Sequence, residues 1–424
     1  MRVCCETYGC TANRSDTELM LGQIAAAGHE VVSSLAEADV VIVNTCAVKG
    51  TTHRKMLCRL RELQNSNGKR MIVAGCLPLI DLKSVEQIGT FAGVISCKSV
   101  GEITDVLGRV AQGEQNVRRL EPTPCEKPAM PKLRSSKVSA VITICEGCTS
   151  NCSYCSVKFA RGELHSFDQH SILSEVRTAV DAGYRELLLT AQDTAAYGLD
   201  IGTNLPELLN SISSLEGKFK IRVGMMNPRN VKQILPELLE AYESDNVYKF
   251  LHVPVQSGDD GVLKAMQRGY TVEDFLKIVN EFRKSFTDLY LATDVIVGFP
   301  GEGNQEFVRT CELIEKVRPD KVNLTRFSPM PGTDASRMPR QDGREVAKRS
   351  RLLGARCHEI GHEQNKRYIG QVLEGLVIEP GEKGGYVARL PNYKPVIIAD
   401  GGLGDFISIK IVEVRPTYLL GVKT

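Results

Sequence analysis

The sequence predicts an α/β protein in three parts: an N-terminal parallel-sheet α/β domain, a central partial barrel of six βα repeats, and a small C-terminal β-barrel. Three observations carry that expectation. Short apolar runs alternate with helical patterns in two separate stretches, the pattern of βαβ units on a parallel sheet. A polar, Pro-containing stretch without periodicity separates them. A Gly-punctuated series of short strand-like runs ends the chain. With 424 residues, 42% hydrophobic and 25% charged, the chain has the composition of an ordinary globular protein. At about 100–200 residues per domain its length fits two to four domains.

In the first stretch, residues 2–6, 40–44, 70–74 and 93–96 read as strands, and residues 16–27 and 51–64 as helices, the second rather basic. Residues 113–137 read as a linker, which bounds an N-terminal domain at 1–112. Alternation resumes at residue 138. Strands are expected at 139–144, 186–190, 220–223, 249–253, 292–297 and 321–326, with helices at 172–182, 205–215, 231–242, 272–285 and 306–317. The chemistry of such a barrel sits at the C-terminal ends of its strands. A basic amphipathic helix at 344–368 closes this domain, placed at 138–363. The tail, 364–424, offers strands at 371–378, 385–390, 394–399 and 406–414, which suits a small barrel of the oligonucleotide-binding kind.

Net charge is only +2, so a nucleic-acid partner must be held by local basic patches. Trp is absent, which excludes stacking on indole. The start, MRVCCETYGC, lacks the apolar core of a signal peptide. No run reaches the roughly 18 apolar residues of a membrane span. Fourteen cysteines in a chain too large to need disulfide staples point to a reducing compartment, the cytoplasm, with some thiolates serving as metal ligands.

Three of those cysteines follow N-terminal strands directly: Cys10 in TYGC, Cys46 in VIVNTC and Cys76 in IVAGC. Ligands of open α/β sheets bind beyond the carboxyl ends of the strands, so the three thiols are expected on one rim. A second set, Cys148, Cys152 and Cys155, has the spacing C-x3-C-x2-C in the loop after the first barrel strand. Thiolates spaced this way can wrap one face of a cubane iron–sulfur cluster and leave one iron open. Cys145 adds a second C-x2-C, so a four-thiolate zinc site is the alternative. Its central spacing is far shorter than the roughly 15–20 residues of a zinc ribbon.

The C-x3-C-x2-C motif, with Tyr154 before its last Cys and on the first loop of a βα barrel, resembles the radical S-adenosylmethionine enzymes. That resemblance implies a [4Fe–4S] cluster on Cys148, Cys152 and Cys155 whose open iron binds S-adenosylmethionine, with the Tyr154 backbone near the adenine. TYGCTANRSD, VIVNTCAVKGTTHRK and IVAGCLP resemble the N-terminal domain of the methylthiotransferases, which implies a second [4Fe–4S] cluster on Cys10, Cys46 and Cys76. Further matches are ARGELHS, LTAQDTAAYG, RVGMMNP, HVPVQSG, TDVIVGFPGE and FSPMPGT. They make Gln192, Asp193, Asn227, Gln256 and Ser257 candidate S-adenosylmethionine contacts, with Gly298 and Gly301 letting the backbone approach it. Each polar residue is equally readable as a satisfied rim hydrogen bond. Cys4, Cys5, Cys58, Cys97, Cys125, Cys311 and Cys357 read as ordinary thiols, and Cys145 stays unassigned.

The segment DIGTNLPELL is similar to the branch found in archaea and eukaryotes. That implies methylthiolation of C2 of N6-threonylcarbamoyladenosine at position 37, next to the anticodon of tRNA. An isopentenyladenosine substrate, a ribosomal-protein aspartate, and a non-catalytic metal-containing RNA-binding module are the alternatives. The tail resembles a TRAM domain, an RNA-binding barrel. Arg344, Lys348, Arg349, Arg351, Lys366 and Arg367 on the helix before it, with Arg389 and Lys394 in the tail, are the candidate phosphate contacts. Tyr386, Tyr393 and Phe406 are available for base stacking or for the barrel core. The implied chemistry also requires an electron donor.

Overall fold

The computed structural model describes residues 1–48, 50–66, 68–123 and 125–424; Pro124, in the expected linker, lies outside the described residues. The chain divides into two compact units. One comprises Met1–Ser135, Val141–Glu175 and Ser328–Arg337, the other Ser136–Ala140, Val176–Phe327 and Met338–Thr424.

The first unit is built on a six-stranded sheet of β1 (Arg2–Thr7), β2 (Glu30–Val31), β3 (Val40–Thr45), β4 (Arg70–Gly75), β5 (Gly93–Ser96) and β6 (Val117–Arg119). The strand order is β2-β1-β3-β4-β5-β6, and every pairing is parallel. Because side chains alternate along a strand, Val41 and Val43 enter one apolar cluster with Leu60, Val73 and Leu77. Val40 and Ile42 enter the opposite one with Leu19, Ile24, Ile103 and Val106. β2 and β6 escape the sequence reading because two or three residues show no period, and β6 lies in what reads as linker. The first helix, Thr11–Ala26, starts five residues before the expected position. Its opening turns carry the buried polar residues Asn13, Ser15 and Asp16, which mask an apolar period.

β7 (Ser139–Thr143) begins in the second unit and ends in the first. Within the first unit it leads into a loop closed by a two-residue antiparallel ladder of β8 (Cys145–Glu146) and β9 (His165–Ser166). The second unit continues with β10 (Glu186–Thr190), β11 (Lys220–Arg222), β12 (Phe250–His252), β13 (Tyr290–Val297) and β14 (Lys321–Arg326). The pairs β10–β11, β12–β13 and β13–β14 are all parallel. An isolated parallel bridge between Ile221 and Val247 links the two strand groups. The helix expected at 231–242 is split into Pro228–Val231 and Leu235–Ala241. Pro236, which has no N–H to donate, opens the second piece.

The tail is a closed five-stranded barrel of β15 (Val372–Pro380), β16 (Tyr386–Arg389), β17 (Pro395–Ile398), β18 (Phe406–Val414) and β19 (Leu419–Lys423), in the order β15-β16-β17-β19-β18. The unexpected β19 closes it by pairing with β17 and β18, around a core of Val377, Ala388, Val396, Ile398, Ile409 and Ile411.

This barrel is docked on the βα core through residues that the sequence reading assigned to RNA. Tyr393 packs with Tyr248, Phe250 and Tyr290 near the start of β12 and β13, and Arg389 stacks on its ring at 4.3 Å. Lys394 is only 2% exposed; its Nζ pairs with Asp320 at 2.7 Å and donates to Asn365 Oδ1 at 2.5 Å. Arg349 is likewise buried, donating to the Glu302 carbonyl (2.9 Å) and Asn304 Oδ1 (2.7 Å). Neither cation can reach a phosphate without leaving a buried carboxylate unpaired, so the expected RNA roles of Lys394 and Arg349 are corrected to structural ones. Arg344, Lys348, Arg351, Lys366 and Arg367 are exposed. Lys394→Met should cost about 3–5 kcal/mol by stranding Asp320, measured as a lowered midpoint in denaturant unfolding.

Candidate active site

In the first unit four parallel strands end on one rim, and a cysteine follows each. Gly9 precedes Cys10 at φ 111° and Gly75 precedes Cys76 at φ 97°, turns that an L-residue strains to make. The backbone packing is close enough that a Cβ on Gly9 would stand 2.5 Å from Cys46 Cβ and 2.9 Å from its Sγ. Cys10 is the exposed N-cap of the first helix. It opens on a cavity of about 530 Å³ shared with Thr7, Arg14, Thr17 and Arg134. Cys46 and Cys76 are buried.

Asn13 holds this rim together. Its Nδ2 donates to the Tyr8 and Thr45 carbonyls, both at 2.9 Å, and its Oδ1 accepts from Cys76 Sγ at 3.5 Å. The Cys76 thiol is held below its ordinary range, first by a hydrogen bond with Cys97 and also by the Arg161 guanidinium, while burial and the neighbouring Cys10 and Cys46 oppose this. Cys97 is pushed up by the same Cys76 hydrogen bond and by burial.

The second thiol set lies in the loop that the β8–β9 ladder closes. Cys148, Cys152 and Cys155 are half-buried, whereas Cys145 is buried in the ladder itself. The loop is pinned at several points: Cys148 N–H to the Gly162 carbonyl (3.2 Å), Cys155 N–H to the Cys152 carbonyl (3.0 Å), and Ala335 N–H to the Ser153 carbonyl (2.8 Å). Ser150 N–H points at Cys148 Sγ from 3.4 Å. Gly147, at φ 77°, lies so close to the Glu163 carbonyl that no side chain fits there. Among the described residues no three His, Cys, Asp or Glu side chains are gathered tightly enough to chelate a single metal ion.

In the second unit the strand ends carry the polar residues expected there, in different states. Asp193 is buried and accepts from two backbone donors, Ala195 N–H (3.2 Å) and Asn227 N–H (2.9 Å), and from the side-chain Asn230 Nδ2 (2.7 Å). Burial pushes its carboxyl up to about 6. Asn227 caps a short helix through Arg229 N–H. Ser257 takes Asp259 N–H in a turn. Gln256 differs: it is a non-glycine residue at φ 68°, and its buried Oε1 has no hydrogen-bond partner. Gly298, at φ 79°, sits against Val346, whereas nothing lies near a Cβ on Gly301. Gln192 and Tyr154 are half-buried.

Three family models match the chain: the Radical SAM superfamily over residues 142–314, the Uncharacterized protein family UPF0004 over 2–95, and the TRAM domain over 366–424. A protein of Pyrococcus abyssi named "Probable threonylcarbamoyladenosine tRNA methylthiotransferase" is 44% identical over 99% of both chains. The human "Threonylcarbamoyladenosine tRNA methylthiotransferase" is 32% identical over 98% of this chain and 72% of its own. The chain belongs to the threonylcarbamoyladenosine tRNA methylthiotransferase family. It is thus an enzyme of the radical S-adenosylmethionine class. The fold agrees: the radical S-adenosylmethionine methyltransferase TsrM of Kitasatospora setae superposes with a TM-score of 0.59 at 14% identity, covering 79% of this chain and 74% of TsrM.

Against that membership, the two sets of three cysteines have the donor chemistry of [4Fe–4S] ligands. Each thiol set is supported by glycine turns too tight for a side chain, and Gln256 presents an acceptor that the protein leaves unused. Asp193, Asn227 and Ser257 shape the strand ends by hydrogen bonds to backbone. Two features escaped the sequence reading. Cys97 follows β5 as directly as Cys76 follows β4, and the same strand-end rule, applied to GVISC, would have found it. His252, Asp294 and Asn323 meet on β12, β13 and β14, with His252 Nε2 at 3.2 Å and Asn323 Nδ2 at 2.7 Å from Asp294 Oδ1. Their signal was a polar residue inside each of three apolar strand runs.

Gly147→Ala should destabilise the first unit by more than the roughly 1–3 kcal/mol of a strained backbone alone. Gly108→Ala, in a helix with open space around it, should raise stability by about 0.5–1 kcal/mol; chemical denaturation measures both. The raised Asp193 carboxyl binds its proton more tightly folded than unfolded. Its contribution is therefore complete below about pH 4 and lost as pH rises through about 6. Wild type should lose stability relative to Asp193→Asn across that interval, as read by pH-dependent unfolding.

Proposed function

We propose that this enzyme adds a methylthio group to C2 of N6-threonylcarbamoyladenosine at position 37 of tRNA, beside the anticodon. The observation that carries the reading is the presence of two separate cysteine triads, Cys10–Cys46–Cys76 and Cys148–Cys152–Cys155, in one compact unit of a chain matched end to end by the tRNA methylthiotransferases. One triad would serve radical generation alone; the second answers the need for a sulfur-delivery site.

Bound to the two triads, a pair of [4Fe–4S] clusters with S-adenosylmethionine would supply the one-electron chemistry that an unactivated adenine C–H demands and a place to hold the sulfur to be inserted. The chain's own groups do the positioning. Cys148, Cys152 and Cys155 present three thiolates from a loop that the β8–β9 ladder and the Ala335 contact keep from spreading. Tyr154 offers backbone groups beside them. In the second unit, Gln256 Oε1 is a buried acceptor open to a ligand's donor. Cys10, Cys46 and Cys76 hold the auxiliary group on the strand-end rim. Arg344, Lys348, Arg351, Lys366 and Arg367 supply phosphate contacts for the anticodon arm, whose unpaired loop bases are the usual targets of RNA-specific recognition. An electron donor feeds the clusters, and the cytoplasm supplies both tRNA and a reducing poise. No helix among the described residues is long and apolar enough to cross a membrane.

The test is anaerobic incubation of the reconstituted enzyme with bulk tRNA, S-adenosylmethionine and a reductant, followed by nucleoside mass spectrometry. A methylthio gain on threonylcarbamoyladenosine is expected. Gain on isopentenyladenosine instead, or no gain with fully loaded clusters, would overturn the substrate assignment. Replacing Cys10, Cys46 and Cys76 with Ala should abolish sulfur insertion while leaving reductive cleavage of S-adenosylmethionine intact.

A further inference from the structure

Four ionic side chains from four distant stretches meet inside the first unit. Asp16 comes from the first helix, Lys127 from the stretch that reads as linker, Glu146 from β8, and Arg161 from the end of the helix that follows the thiol loop. Lys127 Nζ pairs with Asp16 Oδ1 (2.6 Å) and Glu146 Oε1 (2.7 Å); Arg161 pairs with Asp16 Oδ2 and Glu146 Oε1, both at 2.6 Å. The Asp16, Lys127 and Arg161 side chains are each 2% exposed. Burying such ions costs several kcal/mol apiece before their mutual attraction is counted, and an apolar replacement of equal volume is often as stable. Stability alone is therefore a weak reason for this arrangement, and its position offers a better one.

Arg161 reaches past its carboxylates. Its Nη2 also donates to Asn13 Oδ1 at 2.9 Å, the atom that accepts from Cys76 Sγ. Asn13 in turn holds the carbonyls of Tyr8 and Thr45, the residues flanking the turn to Cys10 and preceding Cys46. Glu146, the second carboxylate of the quartet, stands two residues before Cys148 on the ladder that closes the other thiol loop. One guanidinium is thereby joined to the supports of both triads.

We infer that Arg161 is a positioning residue for the auxiliary cluster: its buried cation, fixed by Asp16 and Glu146 and turned toward Asn13 and Cys76, stabilises the more negative, reduced state and so raises the reduction potential of the group on Cys10, Cys46 and Cys76. The inference rests on the assignment of that triad as a cluster site. The sign follows from Coulomb's law in a poorly screened interior: a nearby positive charge favours the state carrying the extra electron. Asp16 acts oppositely, since its carboxylate offsets the guanidinium.

The test uses the full chain with Cys148, Cys152 and Cys155 replaced by Ala, so that only the auxiliary site carries iron. Iron content and the midpoint potential by EPR-monitored redox titration are then measured in that parent and in Arg161→Met, Arg161→Lys and Asp16→Asn. Arg161→Met should shift the midpoint negative, Arg161→Lys should restore most of it, and Asp16→Asn should shift it positive. A purely structural quartet would lower iron loading in all three without shifts of opposite sign. An Arg161→Met protein that binds about four irons at the parent's potential overturns the inference. Should Arg161→Met fail to fold, an unshifted potential in Asp16→Asn overturns it equally. A parent that binds no iron defeats the cluster assignment itself, a distinct outcome.

Discussion

The carboxyl ends of parallel strands all face the same way, and the rest of the first unit depends on that constraint. β1, β3, β4 and β5 lie side by side in register, so the residues that follow Thr7, Thr45, Gly75 and Ser96 are brought together although they span almost ninety positions of sequence. Hydrogen bonding of the ladder sets the spacing, and apolar clusters pack against both faces of the sheet beneath the rim. Side chains need only be short and at the right position after each strand. Cysteine meets both conditions, and the glycines before Cys10 and Cys76 allow the chain to turn before a helix begins.

What could be read from the sequence followed from period and position. β5, β10, β14, β18 and the helix Val272–Ser285 fall where their apolar patterns place them, since each is a run long enough to show its period and bounded by turn residues. β2, β6 and β19 were invisible because their burial comes from partners elsewhere in the chain. The placement of Cys10, Cys46 and Cys76 after strands, and of Cys148, Cys152 and Cys155 in one loop, was legible for the same reason as the strands: local spacing and strand ends are properties of short segments. The quartet of Asp16, Lys127, Glu146 and Arg161 was not, because its partners lie up to 145 positions apart and each alone reads as a solvated charge.

Charge signs also misled at the other end of the chain. Lys394 and Arg349 look like phosphate contacts in a sequence whose tail resembles an RNA-binding barrel. The structure uses Lys394, Arg389 and Tyr393 to seat that barrel on the βα core, filling one end of it with rings and neutralising Asp320. The residue type that suits RNA, a long cation beside an aromatic, equally suits a polar interface between two packed domains. Only burial separates the two uses. By that measure the exposed cations stand on the helix Gly343–Asn365 and the turn after it.

Two devices thus share the work of presenting reactive groups, and they differ in kind. The second unit shapes its strand ends chiefly through capping: Asp193 and Asn227 accept from backbone N–H groups, leaving Gln256 as the strained residue with an idle acceptor. Strain of that sort persists only where the surroundings over-determine it, and the ladder bonds from Gln256 N–H to Asp294 and from Ile296 to the Gln256 carbonyl do so. The first unit instead spends buried charge around its thiols. Thiolate clusters are anionic and change charge as they work, so the supporting groups must tolerate a varying field without moving. A guanidinium clamped by two carboxylates cannot lose its proton or swing away, and it hands that rigidity through Asn13 to the rim.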